Sequence, residues 1–170
     1  MAFKNGILFP IKLSSDFNLK NDPEISFFSL YIRRKAIIQN KIVAHYQNGK
    51  MFKGSTNDFF PTKDPFHFVP SNTLPESKPL KLLTTDLKGL FFIKDFGGNP
   101  DYNEKKEFDP TKQLFGRKIK VVFKDGELIL GTTNGYQKDR PGFFVVPADP
   151  NSDNERCFVV AAATREVSLI

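Results

Sequence analysis

Between Lys118 and Phe123 the run KIKVVF partly alternates polar and apolar residues and closes on Val, Val, Phe, the pattern of a half-buried strand. Lys124-Asp125-Gly126-Glu127 follows. Asp-Gly between apolar runs predicts a tight hairpin, because a type I′ turn needs positive φ at both central residues. The next run, Glu127 to Tyr136, reads as a second strand with Gly131 in its middle. Glycine weakens a strand unless the backbone bends there or is closely approached, so Gly131 predicts a sharp bend. A turn at Lys138-Asp139-Arg140-Pro141-Gly142 leads to a third strand, Phe143 to Val146. Beyond the turn-rich Pro147 to Asn154, a fourth strand, Arg156 to Ala162, and a fifth, Glu166 to Ile170, complete the unit.

The same schedule occurs earlier in the chain. Lys41 to Pro70 lies over Lys118 to Pro147 without a gap, at an offset of 77. Gly49 then falls on Gly126, Gly54 on Gly131, Thr56 on Thr133, Asn57 on Asn134, Phe66 on Phe143 and Pro70 on Pro147. The offset continues to the end, setting Leu80 to Ile93 over Cys157 to Ile170. Such self-similarity marks a repeated structural unit. It predicts a mainly β chain of two tandem five-stranded small barrels at 40–95 and 116–170, joined by a linker at 96–115. The extension at 1–39 matches neither unit. Its Asp22-Pro23-Glu24 reads as a helix start, with Ile25, Phe28, Ile32 and Ala36 on one face. Its β-branched and aromatic content fits a strand as well.

Composition adds limits. Apolar residues make up 39% and charged residues 26%, ordinary for a globular protein. No apolar run approaches the roughly 20 residues of a membrane helix. The first residues carry a short apolar patch broken by Pro10, a poor secretion signal, so a cytoplasmic protein is expected. Cys157, the lone cysteine, sits in an apolar run and reads as a buried, inert thiol; it can form neither an internal disulfide nor a thiolate metal site. The net charge of +6 is a mild excess that lies in the first half: residues 1–40 carry six Lys/Arg against three Asp/Glu, and 116–170 carry eight against seven. Nucleic-acid binding wants a concentrated basic stripe, so a mild excess is weak support for an anionic partner. Nineteen Phe and no Trp place most rings in the core, while doublets such as Phe59-Phe60 and Phe143-Phe144 put one ring on each face of a strand.

The run V-x-F-x-D-G-E-x-x-x-G from Val121 to Gly131, the aromatic Tyr136 and the short last strand ending Val167 to Ile170 resemble the Sm-like small barrel. The segments Asp125 to Glu127, Gly131 to Tyr136, Gly142 to Phe144 and Pro147 to Asn154 are similar to those of an uncharacterised bacterial family. The Sm resemblance implies an Sm/SH3-like fold and raises binding of uridine-rich RNA in a ring. The residues that would form its uridine pocket are replaced: Gln137 stands near the expected Asp, Pro141 and Gly142 near the expected Asn, and Ala163-Thr164 where Arg-Gly belongs.

Candidate chemistry is sparse. No catalytic constellation, phosphate-cradling glycine loop or metal spacing appears, so no enzyme, cofactor or metal is expected. His45 and His67 fall on strand positions, with His67 near Asp64 as a conceivable base and orienting carboxylate. The leading expectation is a binding or scaffolding module acting on a protein partner or on its own copies. One alternative is single-stranded nucleic-acid binding through basic residues and stacking rings: Lys53, Phe59, Lys63 and Phe66 in the first unit, and Tyr136, Lys138, Arg140 and Phe143 in the second. The other is a PilZ-type nucleotide sensor gripping phosphate through Arg33 and Arg34.

Overall fold

The computed structural model describes residues 40–73, 77–99, 101–111 and 113–170. The extension and its Arg33-Arg34 pair lie outside them. The chain is mainly β, with ten strands among the described residues: β1 Asn40–Tyr46, β2 Met51–Thr56, β3 Phe66–Pro70, β4 Leu80–Leu82, β5 Leu87–Ile93, β6 Arg117–Phe123, β7 Leu128–Thr133, β8 Gly142–Pro147, β9 Asn154–Val160 and β10 Thr164–Leu169. Single 3-10 turns, Thr84–Asp86 and Ala161–Ala163, precede β5 and β10.

The strands form one sheet in the order β10-β6-β7-β8-β9-β5-β1-β2-β3-β4. The expected pair of small barrels is met only in part: the strands are there, but the sheet is open. Closing the first half would need a β4–β5 ladder, and closing the second a β9–β10 ladder. Instead β5 pairs antiparallel with β9, so the halves join edge to edge and the sheet stays open. Within each half the registers coincide after a shift of 77. Ile42 faces Gly54 as Ile119 faces Gly131, and Phe66 faces Leu82 as Phe143 faces Val159.

Both hairpins form, but not with the expected turn. Gly49 N–H donates to the Tyr46 carbonyl and Tyr46 N–H to the Lys50 carbonyl; Gly126, Phe123 and Glu127 repeat the pattern. The turn therefore centres on the two residues before each glycine. Gly49 (φ 83°) and Gly126 (φ 91°) follow as left-handed bulge residues, the usual three-residue solution. The strand glycines serve close approach. A Cβ on Gly54 would lie 2.3 Å from the Val69 carbonyl oxygen, and one on Gly131 would lie 2.1 Å from that of Val146. Any side chain there would push apart the strands that meet at the bend.

The core draws on both halves. Ile42, Phe66, Phe68, Leu87 and Leu90 are buried from the first, with Ile119, Val121, Phe123, Val145 and Phe158 from the second. β5, paired with β1 on one edge and β9 on the other, is buried along its whole length. Cys157 lies buried opposite Phe91, and burial pushes its thiol up out of the reactive range. The segment expected as a linker is pinned in place. Tyr102 Oη donates to the Asp149 carboxylate, which also receives Lys105 N–H at 3.0 Å.

Candidate functional site

Each half has a place where its second and third strands part. In the second half, Ala148 N–H donates to the Leu130 carbonyl, and the β7–β8 pairing ends at Thr132 opposite Val146. In an antiparallel strand every second residue turns its backbone groups to the same neighbour. Ala148, Val146 and Phe144 therefore all direct N–H and C=O toward β7. At Phe144 the ladder has run out. Its carbonyl takes the Thr133 hydroxyl at 2.7 Å instead, and Gly135 N–H in turn reaches Thr133 Oγ1 at 3.3 Å.

A cleft of about 830 Å³ opens along this unpaired stretch of β8. Phe143, Phe144, Val146, Leu114 and Phe115 supply apolar wall, and Arg140 stands among the lining residues. The volume lies within the range of ordinary ligand sites. Phe115 is 83% exposed, an unusual position for a ring with no polar handle. Pro61 and Thr62 of the first half complete the wall. Arg140 is exposed, and among the described residues no carboxylate pairs with its guanidinium.

The matching place in the first half is sealed from within. Asp58 Oδ1 accepts His67 N–H at 2.9 Å and Thr56 Oγ1 at 3.3 Å; Oδ2 accepts Lys63 Nζ at 2.5 Å and His67 Nδ1 at 2.8 Å. Partial burial would push this carboxyl up, but the bonds from Lys63 and His67 outweigh it and hold Asp58 well below the usual carboxylate range. The expected His67–Asp64 pair does not form, because Asp64 is engaged by the Thr84 N–H at 2.9 Å. His45 is packed against Phe91 at 4.2 Å between ring centroids, and burial lowers its pKa.

The residues expected to bind nucleic acid scatter. Lys53 is tied to the Phe96 carbonyl at 2.9 Å, and Lys63 to Asp58. Phe66 and Phe143 are buried. Phe59 and Tyr136 are half-buried, each edge-on to the core ring of its own half, at 5.0 Å from Phe66 and 4.8 Å from Phe143. Phe59 also meets Phe158 of the other half at 5.0 Å. Lys138 is exposed. Of the eight residues proposed from sequence, only Arg140 and Phe143 line the cleft. Gly135, Phe144 and Phe115 were missed. The offset of 77 carries the pointer to Gly135, since it places that glycine over Asp58.

The joint between the halves has its own electrostatics. Lys88, on β5, has a side chain only 8% exposed, and it reaches the β6–β7 hairpin of the other half. Its Nζ donates to Asp125 at 2.5 Å and to Glu127, and lies 4.5 Å from the centre of the Phe123 ring. Burial would lower the Lys88 pKa, but the two carboxylates outweigh it and raise it.

Neither a curated protein nor a solved structure matches the chain. A family model does match, over residues 38–170, which span all ten strands. The chain belongs to that family, described as a family of unknown function (DUF6982).

Proposed function

We propose that the chain is a non-enzymatic binding module, built from two copies of one Sm/SH3-like five-stranded unit, which recognises a protein partner at the cleft beside β8. The cleft itself carries this reading: apolar wall, an arginine with no carboxylate partner among the described residues and a stretch of β8 open on its β7 side meet at one place. The strand order of each half, fifth-first-second-third-fourth, and the shared registers support the duplication. The test is to titrate N-acetylphenylalanine amide, an uncharged apolar fragment, and follow backbone amide shifts. Shifts at Gly135, Phe143 and Phe144, weakened by Phe115→Ala, are expected. Shifts confined elsewhere, or none at millimolar fragment, count against the cleft.

A partner is favoured over self-association by the outer edges of the sheet, β4 and β10. Within the chain β5 meets β9, with Gly89 opposite Val159, Leu90 opposite Phe158 and Phe92 opposite Arg156. The same register between two molecules, shifted by 77, would set Glu166 against Leu82, Val167 against Lys81 and Leu169 against Pro79. Each replacement opposes pairing. A Cβ on Gly89 would lie 2.7 Å from the Phe158 carbonyl oxygen, and Glu166 carries one. Lys81 stands in place of a buried phenylalanine, and Pro79 has no N–H to give. Arg165, in the place of Lys88, would meet Asn48 and Lys50 where Lys88 finds Asp125 and Glu127. Charges and proline on an edge are standard protection against edge-to-edge association.

A further inference from the structure

Resting on that reading, we infer that the cleft recognises a carboxylate, an Asp or Glu side chain next to an apolar residue of an extended partner peptide, held by the Phe144 N–H and the Arg140 guanidinium. The argument is a comparison inside one chain. In the first half the backbone N–H released where β2 and β3 part belongs to His67, and the Asp58 carboxylate takes it. Lys63 neutralises that carboxylate, the Thr56 hydroxyl adds a third bond and the His67 ring Nδ1 a fourth. Shifted by 77, His67 becomes Phe144, Lys63 becomes Arg140 and Thr56 becomes Thr133. Three of the four donors are kept, with lysine exchanged for the cation whose planar fork suits a carboxylate better, while the His67 ring nitrogen gives way to the Phe144 ring. The acceptor is not kept: Asp58 becomes Gly135.

The geometry around Gly135 agrees. An added Cβ would find nothing within 4 Å, and Gly135 does not occupy the left-handed region that demands glycine. Neither crowding nor backbone conformation explains the missing side chain. Gly135, Phe144 and Arg140 all line the cleft, so a carboxylate entering from solvent can reach the donors that Asp58 satisfies internally in the other half. Thr133 Oγ1 now turns to the Phe144 carbonyl, but a hydroxyl rotates at little cost and can follow an arriving acceptor. The apolar wall specifies what flanks the acid. Phe115, Leu114 and Val146 offer a surface for an apolar neighbour, much as Phe59, directly after Asp58, lies against Phe66 and Phe158. An extended peptide also fits the unpaired stretch of β8 as an added strand.

The test uses the full chain and two probes that differ in one group, N-acetyl-Asp-Phe-amide and N-acetyl-Asn-Phe-amide, with acetate as a third arm. Calorimetry is expected to show the Asp peptide binding about tenfold or more tighter than the Asn peptide, the size of a charge-assisted bond. Arg140→Gln should remove most of that preference. Gly135→Asp, which supplies the carboxylate from within, should remove it altogether while leaving the melting temperature unchanged or higher. Equal affinity for the two peptides overturns the carboxylate while leaving the cleft standing. A preference that survives Gly135→Asp places the carboxylate elsewhere and overturns it too. Acetate binding as tightly as the Asp peptide overturns the peptide partner, and no binding of either peptide at millimolar concentration fails the cleft with it.

Discussion

The two halves keep the same registers throughout, yet they differ in what closes them. The first half seals the gap between its second and third strands with Asp58, and its fifth strand is sealed by β9 and the Lys88 contacts. The second half has Gly135 at the gap, and its fifth strand, carrying Arg165, Glu166 and Ser168, is the edge of the sheet among the described residues. The difference separates two kinds of specification. Register follows from hairpin bulges at Gly49 and Gly126 and close approaches at Gly54 and Gly131, which both halves share. Closure follows from single side chains and can be present in one half and absent in the other.

The largest expected effect comes from copying the outer edge into the joint. Gly89→Glu forces a Cβ to 2.7 Å from the Phe158 carbonyl oxygen and buries a carboxylate, so a loss on the order of 3–5 kcal/mol is expected by urea denaturation. The reverse change, Glu166→Gly, should cost less than about 1 kcal/mol on an open edge. Losses of similar size at both positions would break the comparison between joint and edge.

A smaller effect separates the two cations. Lys88→Ala removes a buried ammonium but leaves Asp125 and Glu127, 56% and 41% exposed, free to turn to water. A loss of about 1–2 kcal/mol is expected, against under about 0.5 kcal/mol for Arg165→Ala. The smallest concerns Asp58 and acid. Its folded pKa is depressed, so the unfolded chain binds the proton more readily. The stabilisation it gives is present above the ordinary carboxylate value, about pH 4, and fades as pH falls below it. At neutral pH Asp58→Asn should cost about 1 kcal/mol, since the carboxylate is partly solvated. The variant should also lose part of the fall in stability between about pH 4 and pH 2. An unchanged acid limb would mean that the Asp58 contacts contribute nothing.

The strands of each half were legible because they rest on local marks: Asn48-Gly49 and Asp125-Gly126, mid-strand glycines and apolar runs. The joining of the halves was not. The residues of β5 and β9 read as apolar strands, and that pattern does not distinguish an edge closing on its own unit from one meeting the other unit. The turn type was misjudged for a related reason. Asn-Gly and Asp-Gly suit a two-residue turn, but strand register decides whether the glycine is central or follows as a bulge. Of the residues singled out by their chemistry, Arg140 and Phe143 line the cleft. Gly135 and Phe144 were missed because a glycine shows no chemistry and Phe144 contributes its backbone.

The account rests on the Phe144 N–H facing an acceptor from outside while the His67 N–H already has one from within. Amide proton shifts read both groups in a single titration. On adding N-acetyl-Asp-Phe-amide, the Phe144 amide should move downfield as it gains a charged acceptor, and the His67 amide should stay where Asp58 holds it. A Phe144 amide that does not move while the peptide binds, or a His67 amide that moves with it, would contradict the account.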